Sequence, residues 1–262
     1  MSSHLSCIGF VFKDVDDFQA RAIALAGETR ERLACAAGEY AIWRSRTGAE
    51  VWFHLAPADD SGPATNIIGL APFFEGQNHI PIQVTAAIKR PDDNPLEGFF
   101  YGWVAPDSNT GTGEYPLAFE AIDFAAHASR PLPATWRCRV TGFCRNLAVH
   151  ETDETLPDLG DGAQLATQAL IPIGLFNDPD QGEDEAAATA AVSMEPTALL
   201  TGIVRSHKLL RNEVTGRDFH WLEVESLAAT YELVADPDIV LGEIREGAII
   251  EAFVWMFGRV LD

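Results

Sequence analysis

Three histidines, His4, His54 and His79, stand beside short apolar runs whose backbone would hold them still, and they are the side chains best suited to chemistry. Neutral imidazoles within reach of a carboxylate can hold a divalent metal with open coordination positions, which then polarises a substrate oxygen. A structural alternative exists at each. His4 lies near a terminus, His54 alternates with Glu50 and Trp52 on what would be a solvent face, and His79 follows Gln77-Asn78 in a turn, where an imidazole satisfies backbone groups. His207 and His220 make a further pair. A hairpin turning at Glu213-Val214 would set them opposite, whereas the better turn chemistry of Thr215-Gly216 sets them out of register.

A second chemistry is electrostatic. Acidic residues number 39 against 18 basic ones, for a net charge of −21, and residues 151–200 hold eleven acids with no Lys or Arg. That imbalance excludes a general nucleic-acid binder, which needs basic side chains to displace condensed counterions, and it disfavours an anionic membrane surface. It suits a solvated loop or a docking surface for a basic protein partner, densest at Glu183, Asp184 and Glu185. Trp221, Glu223 and Glu225 share one face of a strand-like run and form the other candidate binding surface, an exposed acidic stripe. The basic cluster Trp136, Arg137, Arg139 and Arg145 is expected to pair with carboxylates inside the molecule.

Motifs that would name a reaction are absent: the sequence holds no GxSxG, GxxxxGK, HExxH or CxxC. Cys7, Cys35, Cys138 and Cys144 therefore read as buried free thiols in a reducing compartment. The start, MSSHLSCIGF, lacks the basic and long apolar regions of a signal peptide, so a cytoplasmic protein is expected. No apolar run reaches the ~18 residues of a membrane span. The leading expectation is a non-catalytic binding or protein-interaction module with an acidic surface and no cofactor.

The elements that must position these residues follow from spacing. Residues 5–12 are short, apolar and strand-like; Asp14 can cap a helix over 15–26, where Val15, Phe18, Ala22 and Leu25 recur at helical spacing before Gly27. A second short helix is expected over 29–37. A hairpin follows, Tyr40–Arg46 and Ala49–Ala56 about Thr47-Gly48. Strands are expected at 80–89, 98–104, 135–149 and 163–176, with 57–66 and 91–95 as loops, while 116–127 settles on neither period. Thr197–Ser206, Asp218–Ser226, Ala229–Ala235 and Ala248–Leu261 complete the set.

The expected fold is α+β and strand-dominated. Residues 1–176 form an N-terminal β-α-β-β module with further strands, 177–196 an acidic Ala-rich linker, and 197–262 a small β-barrel-like unit resembling the five-stranded OB type. Thr141–Arg145 echoes Thr201–Arg205, a five-residue similarity that chance also produces.

The N-terminal β-α-β-β order, with His4 before the first strand, Asp14 after it and His54 on the strand Val51–Leu55, resembles the glyoxalase-like, vicinal-oxygen-chelate family over about 55 residues. The spacing of Asp14 from His4 departs from that family, and no paired second module is visible. The resemblance implies a metal-dependent enzyme, the alternative to the binding module, in which His4, His54 and an acid hold a divalent metal.

Overall fold

A computed structural model describes residues 4–57, 67–107, 110–152, 156–157, 164–175 and 194–261. Helix α1 (Val15–Glu28) begins where the sequence places it, because the Asp14 carboxylate accepts from the Asp17 N–H at 2.8 Å and Asp16 and Asp17 sit in the first turn, where the helix dipole favours them. Residues 5–12 are buried as expected, at Cys7, Ile8 and Phe10, but they are not a strand. Ser6–Ile8 make a tight 3-10 turn, and the backbone beyond it is satisfied by side chains: Asn212 donates to the Ile8 carbonyl at 2.9 Å and Thr215 to that of Gly9 at 2.7 Å. The helix expected over 29–37 is also overturned. Glu31–Cys35 is a strand, β1, because its backbone pairs antiparallel with the next strand while Leu33 and Cys35 point to one apolar side. Tertiary pairing has overridden a modest helix preference.

The predicted hairpin forms as β2 (Gly38–Arg44) and β3 (Ala49–Leu55), and a strand the sequence left unassigned, β4 (Ile67–Phe74), pairs with β3. Pro72 is tolerated because β4 lies at the edge of this four-stranded sheet. Every residue of β3 is buried, so Glu50, Trp52 and His54 do not face solvent. One face of the hairpin sets Trp43 against Phe10; the other puts Trp52 beneath the Arg259 guanidinium.

The remaining strands are β5 (Ile80–Ile88), β6 (Phe99–Val104), β7 (Tyr115–Ala121), β8 (Ala134–His150), β9 (Ala169–Ile171), β10 (Thr197–Arg211), β11 (Asp218–Ser226), β12 (Ala229–Ala235), β13 (Val240–Leu241) and β14 (Ile249–Val260). The undecided stretch 116–127 is two elements, β7 and a short helix α2 (Phe124–His127), which is why neither period fits it. Pairings close two rings of five strands. One runs β5-β6-β7-β14-β8, and the other β10-β11-β12-β8-β14.

The two rings repeat one strand topology. Each has an antiparallel three-strand meander and then a long strand; the two long strands, β8 and β14, lie side by side and serve both rings. β14 runs parallel to β7 and β8 parallel to β12, and each meander has a bulge in its first strand, at Val84/Ala86 and Val204/Ser206. This repeat relates β8 to β14, not residues 141–145 to 201–205. Strands of 197–262 therefore supply four members of their ring, and β8 supplies the fifth. Strands on both sides of 177–196 share the ring system, and of that segment only 194–196 are described.

Aliphatic and aromatic side chains fill both rings, including Phe100, Phe119 and Trp136 in the first and Leu200, Leu222 and Leu233 in the second. A second core lies outside them, where the four-stranded sheet packs on Phe143, Phe219 and Phe257. None of the four cysteines is in a disulfide, and Cys138 and Cys144 are buried on β8. Among the described residues, no helix is long and apolar enough to cross a membrane.

Candidate functional site

Two of the three candidate histidines meet at one place. A cavity of about 260 Å³ lies where β3 and β4 face β7 and β14, and both His4 and His54 line it. His79 is exposed at the start of β5 and does not reach it. Among the described residues, no group of three His, Cys, Asp or Glu side chains is arranged to hold a metal ion. Asp14 is occupied as the cap of α1.

His54 is 2% exposed, and its ring is fixed from one side only. Nδ1 lies 3.2 Å from Glu97 Oε1 and 3.1 Å from Asn94 Nδ2, while Nε2 is buried without a hydrogen-bond partner. The segment 94–97 is built for this role: Asn94 N–H donates to Glu97 Oε2 at 3.1 Å, Leu96 N–H to Asn94 Oδ1 at 2.8 Å, and the Tyr40 hydroxyl to the Leu96 carbonyl at 2.7 Å. Burial works against an ionised Glu97, yet hydrogen bonds from His54 and the Asn94 N–H hold its pKa below the usual range. Nδ1 thus faces both a carboxylate oxygen, which accepts, and an amide N–H, which donates. Gly69, opposite His54 in the β3–β4 register, permits the close approach; a Cβ there would lie 2.7 Å from Glu97 Oε1 and 3.0 Å from His54 Nδ1.

Glu120 of β7 forms another wall. Burial raises its pKa to about 7, against the pull of Arg90, whose Nη2 donates to Oε1 at 2.6 Å. Arg90 is itself held by Asp93, through Nε at 3.0 Å. His4 is a packed wall: its ring lies 5.0 Å from that of Trp255, and its Nε2 accepts from Arg145 at 3.2 Å. Burial and then Arg145 lower the His4 pKa to about 4, so the ring is neutral. Leu70, Ala71 and Pro72 complete an apolar side. The arrangement offers a buried imidazole, one carboxyl titrating near neutrality and one guanidinium engaged by two acids.

The chain matches no family model, no curated protein and no solved structure. Its own repeated topology supplies a comparison. Glu120 pairs with Phe257 on β14, Glu232 of β12 pairs with Thr141 on β8, and Phe257 pairs with Thr141, so the two carboxylates lie on one rung, each on the third strand of its meander. Glu232 is 1% exposed. The turn after β4 folds over it: Asn78 N–H donates to Oε2 and Trp221 Nε1–H to Oε1, both at 3.0 Å. Burial raises its pKa, opposed by these donors and the Gln77 N–H. Gly76 packs so closely that a Cβ would fall within the carboxylate.

The other candidate residues are placed as follows. Trp221, Glu223 and Glu225 share a face of β11, but they do not form an open acidic stripe: Trp221 holds Glu232, Asn78 Nδ2 donates to Glu223 at 2.9 Å, and Arg205 Nε to Glu225 at 2.7 Å. Glu183, Asp184 and Glu185 lie outside the described residues. His207 pairs with Leu222 and His220 with Leu209, out of register as expected, yet the rings reach diagonally and Nε2 lies 3.0 Å from Nδ1.

Sequence reasoning missed Arg90, Glu97 and Glu120. A signal for the last existed: Glu120 and Glu232 are lone acids inside the apolar runs Phe119–Ile122 and Tyr231–Val234. A single carboxylate buried in a strand needs donors, and its position advertises a polar site.

Proposed function

We propose that the chain is a non-catalytic binding module that takes a small ligand in the cavity bounded by His54, Glu120 and Trp255. The observation that carries this reading is the cavity itself, which sets His54, Arg90, Glu97 and Glu120 beside Leu70 and Trp255. Supporting it, the strand order of each ring resembles that of an OB-type barrel, a scaffold that receives ligands on its second and third strands and adjoining loops. Arg90 and Glu97 come from such a loop and Glu120 from such a strand. The test is a ligand-observed NMR screen of small fragments, with hits required to compete with one another and to be lost in His54→Gln.

A second reading is the metal-dependent enzyme, favoured by one fact: His4 and His54 share a cavity with Glu120. Elemental analysis of the purified protein separates the two, since stoichiometric metal lost in His54→Ala supports the enzyme. The acidic run around Glu183–Glu185 is proposed as a surface for a basic protein partner, in which case binding weakens with added salt. The four free cysteines fit a reducing, cytoplasmic setting.

A further inference from the structure

We infer that His207 and His220 form a bis-imidazole site for a late first-row divalent metal such as Zn2+, on the second ring and apart from the cavity. The two side chains come from paired strands. β10 and β11 run antiparallel with His207 opposite Leu222 and Leu209 opposite His220, so the imidazoles stand one diagonal step apart on one face. That ladder fixes both backbones before any metal arrives, and β12 braces His220 from its other side through Ala235.

The distances fit. His207 Nε2 lies 3.0 Å from His220 Nδ1. Two imidazole nitrogens bonded to one metal at about 2.0–2.1 Å stand roughly 2.9 Å apart at a right angle and about 3.3 Å apart in a tetrahedron. The ring centroids lie 5.2 Å apart, and two rings on one tetrahedral metal set theirs at about that separation. At present the two nitrogens face each other across a hydrogen bond. Turning each ring about its Cβ–Cγ bond, an axis that runs through the ring centre, aims both nitrogens at a common point while the backbone stays in place. The ring that donates that bond carries its proton on its other nitrogen once metal is bound, so both facing nitrogens coordinate as neutral imidazole.

Access and charge agree with the assignment. Both rings are partly exposed, and Leu209, the residue paired with His220, is 56% exposed. The neighbouring cations are turned elsewhere: Lys208 Nζ lies over the Trp221 ring, 5.1 Å from its centre, and Arg205 is bonded to Glu225 at 2.7 Å. Among the described residues no group of three His, Cys, Asp or Glu is placed to hold a metal, so water fills the remaining coordination positions. Imidazole donors select Zn2+, Cu2+ or Ni2+ over Mg2+ and Ca2+, which take oxygen. The net charge of −21 raises the concentration of cations at the surface.

The probe is Zn2+ added to the full chain after a chelator has removed bound metal. Calorimetry is expected to show one saturable site per chain, and long-range 1H–15N spectra to show the ring nitrogens of His207 and His220 moving while those of His54 stay in place. His207→Gln, His220→Gln and the double variant should weaken Zn2+ binding by about tenfold or more, all three to a similar extent, because one imidazole alone has no chelate partner. His79→Ala, which removes a lone exposed imidazole, should bind as the wild type does. The wild-type spectra keep the test decisive if a variant does not fold. Zn2+ that shifts several histidines alike, or that binds His207→Gln as tightly as the wild type, would overturn the assignment. So would resonances of the pair that stay in place at about 1 mM Zn2+.

Discussion

Glu120 and Glu232 sit on the third strands of the two meanders, opposite Phe257 and Thr141, which pair with each other across the shared long strands. Their surroundings differ in which loop reaches them. Glu232 is covered by the turn after β4, whose Asn78 and Gly76 leave no space in front of it. Glu120 is reached by Arg90 from the β5–β6 connection, and it lines a cavity. The same strand geometry gives a closed structural site in one ring and an open one in the other. What distinguishes binding from structure here is the covering segment, and the rings are common to both.

The largest effect expected on breaking this comparison is at Gly76→Ala. The new methyl falls within the Glu232 carboxylate, which is itself buried and held by three donors, so the turn must lift away and leave a buried charge unpaired. A loss on the order of 4 kcal/mol is expected by urea unfolding. Glu120→Gln should act in the opposite direction and depend on pH. Because burial raises the folded pKa of Glu120 from 4.5 to about 7, the folded state keeps a proton that the unfolded chain releases, and stability falls as pH rises through that window. Removing the charge should therefore stabilise the variant relative to wild type by up to about 3 kcal/mol more at pH 8 than at pH 4, read from paired unfolding curves.

Gly69→Ala is expected to cost less, about 1–2 kcal/mol, because Asn94 and Glu97 belong to a connection that can shift. Its sharper consequence is functional: His54 loses its fixed orientation, and fragment binding should weaken by about tenfold or more in the NMR screen. The smallest effect on stability belongs to His54→Gln, within about 1 kcal/mol, since the side chain already leaves one polar atom unpaired. Fragment binding should nevertheless disappear.

Local chemistry was legible in the sequence. The Asp14 cap and the spacing of Phe18, Ala22 and Leu25 specify α1, and the alternation about Thr47-Gly48 specifies the β2–β3 hairpin. Residues 5–12 were read correctly as buried and wrongly as a strand, because an apolar run looks alike whether its backbone bonds to a neighbouring strand or to the side chains of Asn212 and Thr215. Ring closure was beyond reach for another reason. It depends on β8 meeting β14 more than a hundred residues later in the chain, and no local period encodes that pairing. The cavity inherits this difficulty: His54, Arg90, Glu120 and Trp255 come from four separate segments. His4 and His54 were found from residue type alone, whereas their carboxylate neighbours were hidden in a loop and an apolar strand.

The most direct test of the open-versus-closed contrast is a crystal structure of the full chain soaked with the fragments that bind it in the NMR screen. The expected result is fragment density in the cavity between His54, Glu120 and Trp255 and none at Glu232, where Asn78 remains in place. A cavity closed by protein side chains, with fragments bound elsewhere, would contradict the assignment of this place as a binding site.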